Sequence, residues 1–166
     1  MGKARRETRL QQQNIITKYF SNVVPTGVVM CKRKQRLHAN CPICNHENKD
    51  RRHILQCQDS RAVTLRGELL KEFQCWLNSI DTHPDIIYFV ISGLISWFSS
   101  SIEFRIGAAV ESEIASAFRS HLKLGWESLI HGLLSRQRIQ QQQQYYSLIS
   151  SRKLGTRWGI RLTGKL

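Results

Sequence analysis

Four residues within one short stretch have the types and the spacing to do chemistry. Residues 41–57 read CPICNHENKDRRHILQC, so Cys41 and Cys44 make a CxxC, and His53 and Cys57 make an HxxxC after eight intervening residues. In the first pair, two thiolates can converge on one ion from a tight knuckle that Pro42 stiffens. In the second, side chains at i and i+4 share one face of a helical turn. Three sulfurs and a nitrogen leave no open coordination position, which is the donor set of a structural zinc rather than a catalytic one. The alternative, a redox pair at Cys41 and Cys44, needs a βαβ context that the chain lacks. His46 is the rival ligand, and its place inside the loop reads as solvated. Cys31 is near enough to serve as a substitute ligand, whereas Cys75 reads as a small core residue.

No second chemistry competes with this one. The chain has no glycine-rich phosphate loop, GxSxG, HExxH or paired-aspartate polymerase signature. A zinc deaminase needs His and Glu one residue apart upstream of PCxxC. Here proline lies inside the cysteine pair, and His38 is followed by Ala39 and Asn40. Asp81, His83 and Asp85 form one polar cluster, which reads as a loop starting a helix with Asp81 or Thr82 as its cap. Carboxylates four residues apart in a loop define no metal geometry. The expectation is a protein that is not an enzyme, has no catalytic residue and takes no small-molecule substrate.

The elements around the cysteines read as helices. Residues 8–20 place Leu10, Ile15, Ile16, Tyr19 and Phe20 near helical spacing, and Pro25 then breaks the chain. Thr26 can cap the next turn, which ends in the basic run Lys32, Arg33, Lys34 and Arg36. Residues 59–79 predict a helix capped by Asp59 or Ser60, with Leu65, Leu69, Phe73, Trp76 and Leu77 along one stripe. The 17 residues from Ile86 carry no charge, yet they include five serines and a glycine, and a membrane span needs about 20 predominantly apolar residues. A buried helix of a soluble bundle is the expectation. Ile106, Val110, Ile114, Ala117 and His121 continue at helical spacing, with His121 expected to be partly buried and hydrogen-bonded. Gly125 interrupts, and Trp126, Leu129, Ile130, Leu133 and Leu134 resume the stripe. The run Gln140–Gln144 is flanked by Ile139, Tyr145 and Tyr146, which predicts continued helix rather than a free polar tract. Gly155 is placed to end that helix, and a last one, from Arg157, reads as truncated. No strand pattern is present. The predicted fold is mainly α: an N-terminal basic helix (1–24), a zinc-binding segment (25–58), and a four- to five-helix bundle (59–166) forming one compact unit.

Charge separates these regions. Residues 1–66 hold 14 basic and 4 acidic residues, residues 67–127 hold 4 and 8, and residues 128–166 hold 7 and none, in a chain of net charge +13. Basic excess around a metal module suits a polyanion, because each neutralised phosphate releases counterions. RNA or DNA is therefore the expected partner, with Lys32, Arg33, Lys34, Arg36, Arg51 and Arg52 as the phosphate contacts. A protein partner docking on the helices is the other possibility, favoured if Trp97, Trp126, Tyr145 and Tyr146 are exposed. Five cysteines and a start without an apolar stretch point to a reducing compartment, hence an intracellular protein, nuclear or cytoplasmic, with no membrane segment.

The stretch VVPTGVVMCKRKQRLHANCPICNHENKDRRHILQC resembles the zinc-binding segment that follows the polymerase domain in reverse transcriptases of non-LTR (LINE-type) retrotransposons. Pro25 and Thr26 match that family's turn, Cys41 and Cys44 its first cysteine pair, Asp50 its acidic position, and His53 and Cys57 its second pair. Downstream, Trp76-Leu77, Gly93-Leu94, Gly125-Trp126, Tyr145-Tyr146 and Trp158 are similar to the tails of retroelement-derived reading frames. These 166 residues contain no polymerase signature, so the resemblance implies a nucleic-acid-associated fragment and does not carry polymerase activity with it. A zinc-pinned interaction module and a decayed copy without selected function are the alternative expectations.

Overall fold

The computed structural model describes residues 24–99, 112–131, 133–149 and 154–165. The expected N-terminal helix over residues 8–20, and Ile106 and Val110 of the later stripe, lie outside them. The elements are α1 (Gly27–Lys32), α2 (Arg51–Gln56), α3 (Ser60–Ser79), α4 (Pro84–Ser99), α5 (Ser112–Leu124), α6 (Trp126–Ile130), α7 (Arg136–Leu148) and α8 (Gly155–Lys165). The fold is mainly helical, with no strand among the described residues. The chain divides into two compact units, residues 1–63 and 64–166, so the division falls inside α3 rather than at its start.

Local signals build the first unit. The buried Thr26 hydroxyl accepts from the Val29 N–H at 3.1 Å and starts α1. The helix ends where Lys34 N–H donates to Cys31 O and Gln35 N–H to Met30 O, both at 2.9 Å. This double bond turns the chain through a left-handed residue, and Lys34 holds φ 57° at the position where glycine is usual. Asp50 Oδ1 accepts from the His53 N–H at 2.6 Å and caps α2. Between the helices, Lys49 N–H donates to Ala39 O (2.9 Å) and Val28 N–H to Lys49 O (3.3 Å), clipping the metal loop onto α1. Gly27 makes that approach possible, since a Cβ there would overlap the Ala39 carbonyl. Among described residues 24–63, the buried apolar side chains are only Cys41 and Cys57.

The second unit has an apolar core running from Phe73 and Leu77 through α4, Phe118, Trp126 and Leu129 to Tyr146, Trp158 and Leu162. On α4, Ile86, Ile87, Phe89, Val90, Ile91, Gly93 and Leu94 are buried, while Tyr88 and Ile95 are exposed. The uncharged stretch is thus a core helix, and among the described residues no helix is long and apolar enough to cross a membrane. Gly93 lies flat against the Trp126 indole, in space a Cβ would fill. Helix α7 packs on α8 and on α5, and α6 on α5 and α4. Helices α3, α4, α5, α7 and α8 meet the expectation of four or five, with α6 as an extra short turn.

Polar side chains of α7 and α8 fasten the α3–α4 connection. Gln142 donates to Asp81 O at 2.9 Å and accepts from His83 N–H at 3.0 Å, Tyr146 donates to Ile80 O at 2.8 Å, and Trp158 Nε1 donates to Thr82 Oγ1 at 2.9 Å. The glutamine run is therefore helical, and it contributes a fully buried structural residue. The polar cluster at residues 81–85 starts α4, but its cap is the His83 ring, whose Nδ1 accepts from the Asp85 N–H at 3.1 Å. Thr82 is instead taken up by Trp158.

Four further expectations are corrected. Leu65 and Leu69 of the α3 stripe are 56% and 53% exposed, because only the Phe73–Leu77 end meets the core. Cys75 is exposed, since it lies between those two residues and turns away from the face they share. His121 is fully buried, and neither ring nitrogen has a hydrogen-bond partner. Gly155 starts α8 instead of ending α7, which stops at Leu148 with Ile149 as its C-cap. Its N–H donates to Gln143 Oε1 at 2.7 Å, close against the Ile139 carbonyl.

Candidate metal centre

The knuckle at Cys41 closes through the backbone: Cys41 N–H donates to His46 O at 2.8 Å and Asn45 N–H to Cys41 O at 2.9 Å. Asn45 takes φ 57°, a conformation its short polar side chain tolerates. Opposite the knuckle, α2 presents His53, and the chain leaves the helix at Cys57, its C-cap. The ligand atoms of Cys41, Cys44, His53 and Cys57 all lie within 4.8 Å of one another, so one ion can touch all four. The closest pair is Cys44 Sγ and His53 Nε2 at 3.2 Å, which marks Nε2 as the donor nitrogen. Cys41 and Cys57 are buried and face inward, and Cys44 and His53 are partly exposed.

The thiols already differ in acidity. Burial raises Cys41, but the backbone N–H groups of Cys44 and Ile43, with the His53 and Cys44 side chains, outweigh it and bring the thiol down to about 6. At Cys44 the His46 backbone acts downward, while burial and the neighbouring Cys57 and Cys41 act upward and prevail. One thiolate forms readily and opposes the next, and a cation at the centre removes that opposition. The four expected ligands are therefore brought together as one group that can hold a metal ion, with donors compatible with zinc.

The other candidates fall elsewhere. Cys31 points to the Leu37 carbonyl, 3.7 Å from its sulfur, and does not join the cluster. His46 is exposed, as expected, yet its ring lies parallel on His53 with centroids 4.5 Å apart, a contact the spacing did not reveal. The Asp50 cap orients the turn bearing His53. Its signal was present in the sequence as an aspartate three residues before the first ligand of a helix.

All six expected phosphate contacts belong to this unit. Lys32, Arg33 and Lys34 are exposed at the end of α1, Arg36 follows half-buried, and Arg51 and Arg52 occupy the first turn of α2. Arg52 Nε donates to Gln56 Oε1 at 3.0 Å, which directs its side chain along α2. The aromatic residues that would favour a protein partner are not exposed: Trp126 and Tyr146 are buried, and Trp97 and Tyr145 are half-buried. No protein-family model matches the chain, and neither does any of the curated proteins or solved structures compared with it.

Proposed function

We propose that this chain is a non-catalytic, zinc-stabilised segment that binds RNA or DNA and derives from a retroelement reverse transcriptase. The observation that carries the reading is the convergence of Cys41, Cys44, His53 and Cys57 in a unit that buries no other apolar side chain among its described residues. Zinc bound there supplies a closed crosslink and no reactive position. That crosslink ties the knuckle to α2, and the Lys49 clip ties the same loop to α1, so both basic stretches sit on backbone the metal organises. Lys32 and Arg33, at the end of α1, also complement the helix dipole. Arg51 and Arg52, in a first turn, oppose it. An anionic partner offsets that opposition.

The experiment is binding of labelled single-stranded and duplex RNA and DNA across salt concentrations, with and without zinc. The expected result is affinity that falls linearly with log salt and is lost on metal removal, with Arg52→Gln or Lys34→Gln each lowering the slope by about one. Affinity unchanged between about 50 and about 200 mM salt contradicts the reading. The second reading, a zinc-pinned protein-interaction module, rests on the exposed pair Leu65 and Leu69, one turn apart on α3. It requires that Leu65→Ser with Leu69→Ser leave nucleic-acid binding intact while abolishing a protein contact.

A further inference from the structure

We propose that the N-terminal end of α7 is a binding site for a small oxyanion, with Arg138, His121 and Ser135 as its ligands. Arg138 is fully buried, and among the described residues none of its three guanidinium nitrogens has a hydrogen-bond partner. Its Cζ lies 4.5 Å from the Phe118 ring centroid and 5.8 Å from that of Trp126. Ring faces attract the cation, yet they supply no lone pair for its five N–H donors. His121 packs edge-on against the same Trp126, with centroids 5.3 Å apart, and both its nitrogens are also unpartnered.

Ser135 completes the set. It is the residue before α7, yet its hydroxyl makes no capping bond and is buried without a partner. Arg138 lies in the first turn of the helix that Ser135 opens, and its guanidinium is near enough to His121 for its charge to act on that ring. That turn contains no acidic residue, and residues 128–166 contain none at all. The nearest carboxylate before them in sequence, Glu127, lies 3.8 Å from His131. Burial brings Arg138 down to about 9, so it stays charged at neutral pH. Burial and the Arg138 charge bring His121 down to about 3, so it is neutral there and keeps one N–H to donate. A fork of guanidinium N–H groups, a hydroxyl, an imidazole N–H and a helix N-terminus together match the lone pairs of a phosphate or carboxylate.

The test is thermal melting of the full chain in sodium phosphate and, separately, in sodium acetate, each against sodium chloride of equal ionic strength. The expected result is a rise of about 5 °C at ten times the dissociation constant in at least one of the two oxyanions, and which one responds identifies the source. Arg136→Gln, on the exposed neighbour, must keep the response, and Arg138→Met must abolish it. Should Arg138→Met fail to fold, Ser135→Ala decides, because Ser135 makes no capping bond to lose. It must weaken the anion about fivefold. No rise above sodium chloride in either anion, a response that survives in Arg138→Met, or one unchanged in Ser135→Ala overturns the proposal.

Discussion

Between residues 24 and 63 the only buried apolar side chains are two of the four candidate ligands, whereas the helical unit buries a continuous apolar core from Phe73 to Leu162. Small units cannot bury enough surface to offset the entropy of ordering their chain, and a metal crosslink is one remedy. The contrast extends to polar groups. Among the described residues of the first unit, hydrogen bonds close the caps and the knuckle, and the Lys49 clip reaches back to Val28. In the second, Gln142, Tyr146 and Trp158 reach back about sixty residues or more to one connection. One unit should therefore depend on its ion and the other on packing and on a few buried polar side chains.

Metal removal should separate the two most sharply. Chelation is expected to cost the first unit on the order of 10 kcal/mol and unfold it, leaving the core signals of the helical unit in place, as residue-resolved NMR would show. Loss of both sets of signals together would erase the distinction. Acid is next. Free imidazole takes up a proton near 6.5, whereas buried His121 resists until about 3. The His121 contribution is therefore fully present above pH 6.5 and is lost as pH falls toward 3, at up to about 1.4 kcal/mol per pH unit. His121→Leu should flatten that part of the curve for the helical unit in denaturant titrations at stepped pH.

Arg138→Met should stabilise the helical unit by about 1–4 kcal/mol in chloride buffer, because it removes an unpaired buried cation and keeps the packing on Phe118. Destabilisation there would mean that the contacts with Phe118 and Trp126 outweigh desolvation. Smallest is a pair within the glutamine run. Gln142→Ala should cost about 1–3 kcal/mol by stranding Asp81 O and His83 N–H, while exposed Gln140→Ala should be neutral within error. Equal effects at the two positions would return the run to mere low complexity.

What could be read from the sequence was local. The ligand spacing, the Thr26 cap and the helix over residues 59–79 all depend on residues within a few turns of each other, and each appears in the structure, the helix from Ser60. Periodicity located the α3 stripe but carried no information on what covers it, so Leu65 and Leu69 were expected inside and lie outside. Propensity alone puts Gly155 at the end of a helix, while its position is set by close approach to the Ile139 carbonyl. The roles of Gln142 and Arg138 depend on partners, or on missing partners, far away in the chain, and no spacing rule reports those.

The most direct test of the central claim is metal analysis of freshly purified protein alongside Cys41→Ser. The account predicts one zinc per native chain, and loss in the variant of both the zinc and the salt-dependent binding of nucleic acid. A native chain without zinc, or a variant that retains its full complement, contradicts it.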